Sequence, residues 1–279
     1  MSMIDKDSAK YANVPTATQN IWGVGLKDAK RQSRSTAIAD VTQSVTGAIL
    51  GIFLFCHMAF TSSVQISKDL FANLINTSGG MFLGGEEHLW MHVAFVGFIF
   101  ICVVLHAFCA LRRFPTSYKK FRDIRAHERM LHHPDTTLWL IQLATAFLLF
   151  LFVFTHLFPM LLHPSGFDVN LIGVHTYHNG MLWTFLFLVI TELHGMIGLY
   201  RLCVKWDIFK GNTERNLIDQ RTRDGDRAGL RKGFLIIALL LIVCGTLTIW
   251  KNYSIGSEQV ANHQEATRYE ITDGNNWWK

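Results

Sequence analysis

The chain has 279 residues, half of them hydrophobic and 17% charged, with a positive mean hydropathy. That balance excludes an ordinary soluble domain and fits a membrane protein with polar loops. The net charge of +5 matters less than where the charges sit, no nucleic-acid partner is expected, and the five cysteines include no Cys-x-x-Cys pair, so zinc, iron–sulfur and covalently held c-type haem all lack their motifs.

The first 35 residues contain no sustained apolar core. No cleavable leader is visible there, and the first hydrophobic run is expected to stay as a membrane anchor. Crossing a bilayer takes roughly 20 apolar residues in a helix. Five runs qualify: about 38–65 around GAILGIFLFCHMAF, about 89–111, about 136–162, about 180–204 and about 233–250. The expected fold class is all-α, an integral membrane bundle of five transmembrane helices.

Basic residues predict its orientation. Lys27, Lys30, Arg31 and Arg34 precede the first span, and seven basic residues from Arg112 to Arg129 separate the second and third. A third basic group, from Arg201 to Lys232, separates the fourth and fifth. The alternate loops are nearly bare: 66–88 has only Lys68, and 163–179 has neither Lys nor Arg. Short cytoplasmic loops are enriched in Lys and Arg, so the N-terminus is expected inside and the C-terminal tail outside. The same basic segments would also suit docking of soluble subunits, and charge alone does not separate the two readings.

Four histidines sit deep in the first four spans, one in each: His57, His106, His156 and His194. A lone histidine in a span is often an interhelical hydrogen-bonding group. Depth argues for more. A helix rises about 1.5 Å per residue, which puts His106, six residues before Arg112, roughly 9 Å from the inner edge. His194, seven residues before Arg201, lies at nearly the same level. His57 follows Arg34 by 23 residues and His156 follows Asp135 by 21, so both lie roughly 30 Å along, towards the outer side. Two pairs at two depths suit two b-type haems, because bis-histidine ligation needs one imidazole on either face of the iron, from different helices at matched depth. Zinc, the main rival, prefers four ligands that usually include cysteine or carboxylate at close spacing, and no such set is visible.

The surroundings carry further candidates. Gly47 and Gly51 lie one turn apart on the first span, and Gly195 and Gly198 lie beside His194. Small residues there would admit a macrocycle or let helices pack closely. Gln43, Ser44, Arg112, Arg113, Arg201 and Lys205, near the inner ends of the spans, are candidate partners for haem propionates. His132 and His133, just before the third span, read as loop histidines or propionate partners. Glu192 sits two residues before His194, and a helix turns about 200° over that step, so it is expected to point away from the haem. A carboxyl at this depth is costly and a functional candidate. The two readings are a proton relay through the bundle and a hydrogen bond to a neighbouring helix.

The stretches QSVTGAILGIFLFCHMAF, LHAFCALRRFP, HHPDTTLWLIQ, VFTHLF and TELHGMIGLYRLCVKW resemble the single-subunit, dihaem cytochrome b of menaquinol:fumarate reductases and related succinate:quinone oxidoreductases. The resemblance runs over roughly 30–230. It implies that His106 and His194 ligate the haem proximal to an iron–sulfur subunit and that His57 and His156 ligate the distal one. Glu192 matches a transmembrane glutamate associated with proton transfer. The resemblance further implies menaquinone or menaquinol as the membrane substrate, an iron–sulfur partner, a flavoprotein partner carrying FAD, and assembly as a dimer of heterotrimers. The expected location is a bacterial inner membrane, in anaerobic respiration. The chain has no dinucleotide-binding glycine pattern and no cysteine cluster, so the dicarboxylate active site is expected in a partner subunit.

One departure concerns the quinone. The family carries a quinone-associated glutamate in the outer segment between the first two spans, where ungapped alignment from His57 to His106 puts Gly79. Glu86 and Glu87 would supply a carboxylate from a shifted position, or form a solvated loop pair. The expected organisation is a cytoplasmic segment over 1–35, a five-helix transmembrane dihaem domain over 36–252 and an outer tail over 253–279. The rivals are a cytochrome b subunit of a formate dehydrogenase or hydrogenase, which places two ligands on one helix, and a non-redox membrane protein with hydrogen-bonding histidines.

Overall fold

The computed structural model describes residues 35–84, 88–131, 133–208 and 220–277. Every regular element among them is helical. In chain order these are α1 (Ser35–Ser62, extended by a 3-10 turn to Gln65), α2 (Lys68–Ser78), α3 (Leu89–Leu111), α4 (Tyr118–Leu131), α5 (Pro134–Leu162), α6 (Val169–Asn179), α7 (Met181–Trp206) and α8 (Gln220–Ala261). Five of them, α1, α3, α5, α7 and α8, are long and apolar enough to cross a membrane. This is the all-α, five-span bundle expected from the hydrophobic runs. Residues 41–279 form one compact unit; of the unit before residue 41, Ser35–Asp40 in the first turns of α1 are described.

The spans are apolar on their outward faces as well as their inward ones. Phe98 and Phe108 of α3, Phe147 and Leu151 of α5, Leu182 of α7 and Leu239 of α8 are all exposed. Such surface is tolerable against lipid chains, where the helix satisfies its own backbone groups internally. Between the helices, small residues set the closest approaches. A Cβ at Gly51 would press on Leu199, one at Gly195 on Leu54, one at Gly198 on Gln142, and one at Gly245 on Leu188 and Met58. Three of the four glycines considered for a macrocycle thus accommodate neighbouring side chains. Gly256 of α8 lies against the carbonyl of Gly173 in α6, which leaves no room for a side chain there.

The end of the bundle expected on the outer side contains structure that hydropathy alone does not reveal. The short helices α2 and α6 begin at side-chain caps: Ser67 accepts from Leu70 N at 2.9 Å, and Asp168 accepts from Asn170 N at 2.9 Å. The span α8 continues past residue 252 to Ala261, and the chain then folds back over α2 and α6. Asp69 is the clasp. Its carboxylate accepts from Tyr269 Oη at 2.8 Å, Thr272 N at 3.0 Å and Asn275 Nδ2 at 2.7 Å. Asp168 holds the same strap through Tyr269 N at 3.0 Å. Beneath the strap lies a cavity of about 220 Å³ lined by Ile75, Asn76, Met81, Phe167 and Tyr269, among others.

Hydrogen bonds from Asn275 and Thr272 pull the Asp69 carboxyl down to about 2 from an ordinary 3.8. A group depressed in the folded state contributes its stabilisation above the ordinary value and loses it as pH falls through the depressed one. The docked tail should therefore hold fully above about pH 4 and loosen towards about pH 2. Asp69→Asn at neutral pH should expose the strap to protease cleavage, read as loss of the last residues by mass. Resistance equal to the parent would mean that other contacts hold the tail.

Candidate metal centres

The spans bring four histidines together in two pairs. The rings of His106 and His194 lie 6.5 Å apart between centroids, at 90° to one another. Those of His57 and His156 lie 6.1 Å apart, at 78°. An imidazole nitrogen binds a metal at about 2 Å and sits about 1 Å from its ring centre, so two imidazoles sharing one metal from opposite sides have centroids about 6 Å apart. Both pairs match that spacing. Among the described residues no group of three or more His, Cys, Asp or Glu is close enough to hold a metal ion.

Local contacts decide which nitrogen of each inner histidine is available. His106 Nδ1 lies 3.2 Å from the carbonyl of Gln43 and 3.3 Å from Thr46 Oγ1. His194 Nδ1 lies 3.2 Å from the carbonyl of Gln142 and 3.3 Å from Thr145 Oγ1. A carbonyl only accepts, so in both rings Nδ1 carries the proton and donates. Nε2 is left with its lone pair, the form that binds a metal. Gly47 completes the first of these contacts: a Cβ there would sit 3.1 Å from the His106 ring.

The outer pair has a different setting. Neither His57 nor His156 makes a ring hydrogen bond among the described residues. Phe53 stacks on His57 at 5.3 Å, and Phe187 lies 5.2 Å from His156. Phe152 stacks on Trp183 at 4.1 Å and lies 6.1 Å from Phe187. This apolar, aromatic wall suits a flat apolar group and keeps water out.

The candidate propionate partners separate into two sets. Lys205 Nζ donates to Ser44 Oγ at 3.0 Å, Arg201 donates to the Gln142 side chain, and Gln43 Oε1 is buried without a hydrogen-bond partner among the described residues. These gather near the inner pair. Arg112 instead turns back to the Cys109 carbonyl of its own helix at 2.9 Å, and both Arg112 and Arg113 are exposed. His133 caps α5, its Nδ1 accepting from Asp135 N at 3.3 Å. His132, Glu86 and Glu87 lie outside the described residues.

Glu192 is completely buried, and neither of its carboxyl oxygens has a hydrogen-bond partner among the described residues. Leu188, Glu192, Met196 and Tyr200 follow one another at helical spacing down one face of α7. Leu188 meets Gly245, and Tyr200 meets Phe234, both on α8. Glu192 therefore sits in the α7–α8 seam, turned away from the His106–His194 pair. At the inner end of that seam Asp135 accepts from Tyr200 Oη at 2.8 Å and from Arg231 at 3.0 Å.

Three features lie outside the set of deep histidines. His92, also within the second span, is 4% exposed and stacks face to face on Phe167 at 4.5 Å near the outer end. The threonines that hold the inner rings were not candidates, nor was the Asp135–Tyr200–Arg231 cluster. The threonine signal was present in the sequence. Gln43-x-x-Thr46 precedes His57 at the same spacing as Gln142-x-x-Thr145 precedes His156, so α1 and α5 carry one repeated pattern.

Comparison with known proteins agrees with this architecture. Residues 118–248, which include the third and fourth spans and part of the fifth, match the family described as succinate dehydrogenase/fumarate reductase transmembrane subunit. A fumarate reductase cytochrome b subunit of Helicobacter pylori is 35% identical over 246 residues, covering 85% of this chain and 89% of that protein. The fumarate reductase cytochrome b subunit of Wolinella succinogenes is 33% identical over 238 residues, covering 84% and 89%. With five spans, paired histidines and this likeness over most of its length, the chain belongs to the succinate dehydrogenase/fumarate reductase transmembrane-subunit family and is a membrane anchor subunit of the cytochrome b type.

Proposed function

We propose that this chain holds two b-type haems, one between His106 and His194 and one between His57 and His156, and carries electrons between menaquinol or menaquinone and an iron–sulfur partner. The observation that carries the reading is the ring separation in both pairs, 6.5 and 6.1 Å, which suits two imidazoles on one metal. Bound haem supplies one-electron redox chemistry. The chain's own residues supply the rest. Gln43, Thr46, Gln142 and Thr145 hold the inner rings with Nε2 turned to the metal side. Phe53 and Phe187 keep water from the outer rings. Ser44, Lys205, Arg201 and Gln43 offer polar groups at the inner end for propionates, with Arg112 and Arg113 further out.

The quinone binds at the outer end; Glu86 and Glu87, which read either as its carboxylate or as a solvated loop pair, lie outside the described residues. Quinol oxidation there releases protons, and Glu192 carries protons along the α7–α8 seam so that charge movement is offset. The dicarboxylate reaction, fumarate reduction or succinate oxidation, belongs to a flavoprotein subunit with FAD, joined to this anchor by the iron–sulfur subunit. The basic inner loops face those partners in a bacterial cytoplasmic membrane, with the N-terminus inside, and two such trimers pair. One ligand histidine per helix favours this reading over the formate dehydrogenase or hydrogenase arrangement.

Purifying the chain with whatever it binds tests the assignment. Two haems per chain, a flavoprotein and fumarate-reducing activity with a quinol donor are the expected result. A molybdenum or nickel partner would overturn it.

A further inference from the structure

We infer that Thr46 and Thr145 are positioning residues that set the potential of the inner haem, one through each axial imidazole; the inference rests on the haem assignment proposed above. The geometry is the same at both sites. Thr46 Oγ1 donates its own proton to the Thr42 carbonyl at 2.7 Å, and Thr145 Oγ1 donates to the Ile141 carbonyl at 2.8 Å. With the hydroxyl proton committed to the helix, the oxygen lone pairs turn outward. Each then accepts from the neighbouring imidazole, 3.3 Å from His106 Nδ1 and 3.3 Å from His194 Nδ1. Each Nδ1–H is thus shared between a threonine oxygen and a main-chain carbonyl.

The consequence is electronic as well as steric. Acceptors at Nδ1 draw the ring proton away, raise the basicity of Nε2 and favour the more positively charged oxidised metal. Of the two acceptors at each ring, only the hydroxyl is removable by substitution. His57 and His156 have no such partners among the described residues, so the outer haem is a built-in control.

The test uses the whole purified complex and potentiometric titration of each haem, the inner one identified by the signal lost in His106→Ala. Thr46→Val and Thr145→Val keep side-chain shape and remove the acceptor. Each should raise the reduced-to-oxidised ratio of the inner haem about threefold at fixed ambient potential, an upward shift of about 30 mV at 59 mV per tenfold. The double variant should shift further, Thr→Ser should restore the parent value, and the outer haem should not move. An unmoved inner haem, or equal shifts in both haems, would overturn the role given to the threonines. Absence of any low-spin bis-imidazole signal from the parent complex would overturn the haem assignment instead.

Discussion

Replacing His106 or His194 with alanine should leave a complex with one haem per chain, and both variants should lose the same spectral component. His57→Ala and His156→Ala should lose the other component. The pairing follows from geometry: each pair faces across the bundle at a separation that one metal spans, and the pairs occupy different depths. Electron flow from quinol to the soluble subunits should fall by about two orders of magnitude or more in all four variants, since each removes one of two ligands from a relay centre. Haem content by pyridine haemochrome assay and difference spectra of the reduced complex read the outcome. Loss of one shared component in His57→Ala and His106→Ala would contradict the pairing.

Glu192→Gln should keep both haems and both potentials while quinol-linked turnover falls at least about tenfold. Glutamine has the shape of glutamate but neither carries nor releases a proton at this position. The carboxyl makes no hydrogen bond among the described residues, so the substitution removes no bond on which the fold depends. Its cost should therefore appear in turnover and in proton movement, not in thermal stability. A carboxyl with no proton role predicts unchanged turnover, and under either reading stability stays equal or rises, because a buried acid without partners is unfavourable in itself. Turnover assays with a soluble quinol separate the two, and thermal melts followed by haem absorbance check that the bundle stays intact. Parent-like turnover would end the relay role.

Much of the bundle was legible in the sequence because lipid imposes a simple rule. A span must be long, apolar and helical, so five hydrophobic runs become five helices with shifts only at their ends. The fifth run, 233–250, underestimates α8, which reaches Gln220 and Ala261 because its polar ends continue the helix beyond the apolar stretch. The histidine pairs were legible because matched depth on different helices is one-dimensional information, counted residue by residue from basic boundaries.

What the sequence did not disclose depends on three-dimensional return of the chain. The strap over Asp69 joins residues some two hundred positions apart through short polar contacts, with no periodicity to announce them. The inner clasp of Asp135, Tyr200 and Arg231 draws one residue from each of three spans. Gly51, Gly195 and Gly198 were ambiguous between macrocycle and helix contact, since a small residue serves both; their neighbours are Leu199, Leu54 and Gln142. His92 lies three residues into α3, near the end of its span, where depth alone does not set a buried histidine apart from a loop one.

The measurement that bears most directly on the central claim is the haem-to-chain ratio of the purified complex, taken together with its low-temperature electron paramagnetic resonance spectrum. The account predicts a ratio of two, with two distinct low-spin ferric signals from centres ligated by two imidazoles each. A ratio of one or zero, or a high-spin five-coordinate signal from a substantial part of the iron, would contradict it.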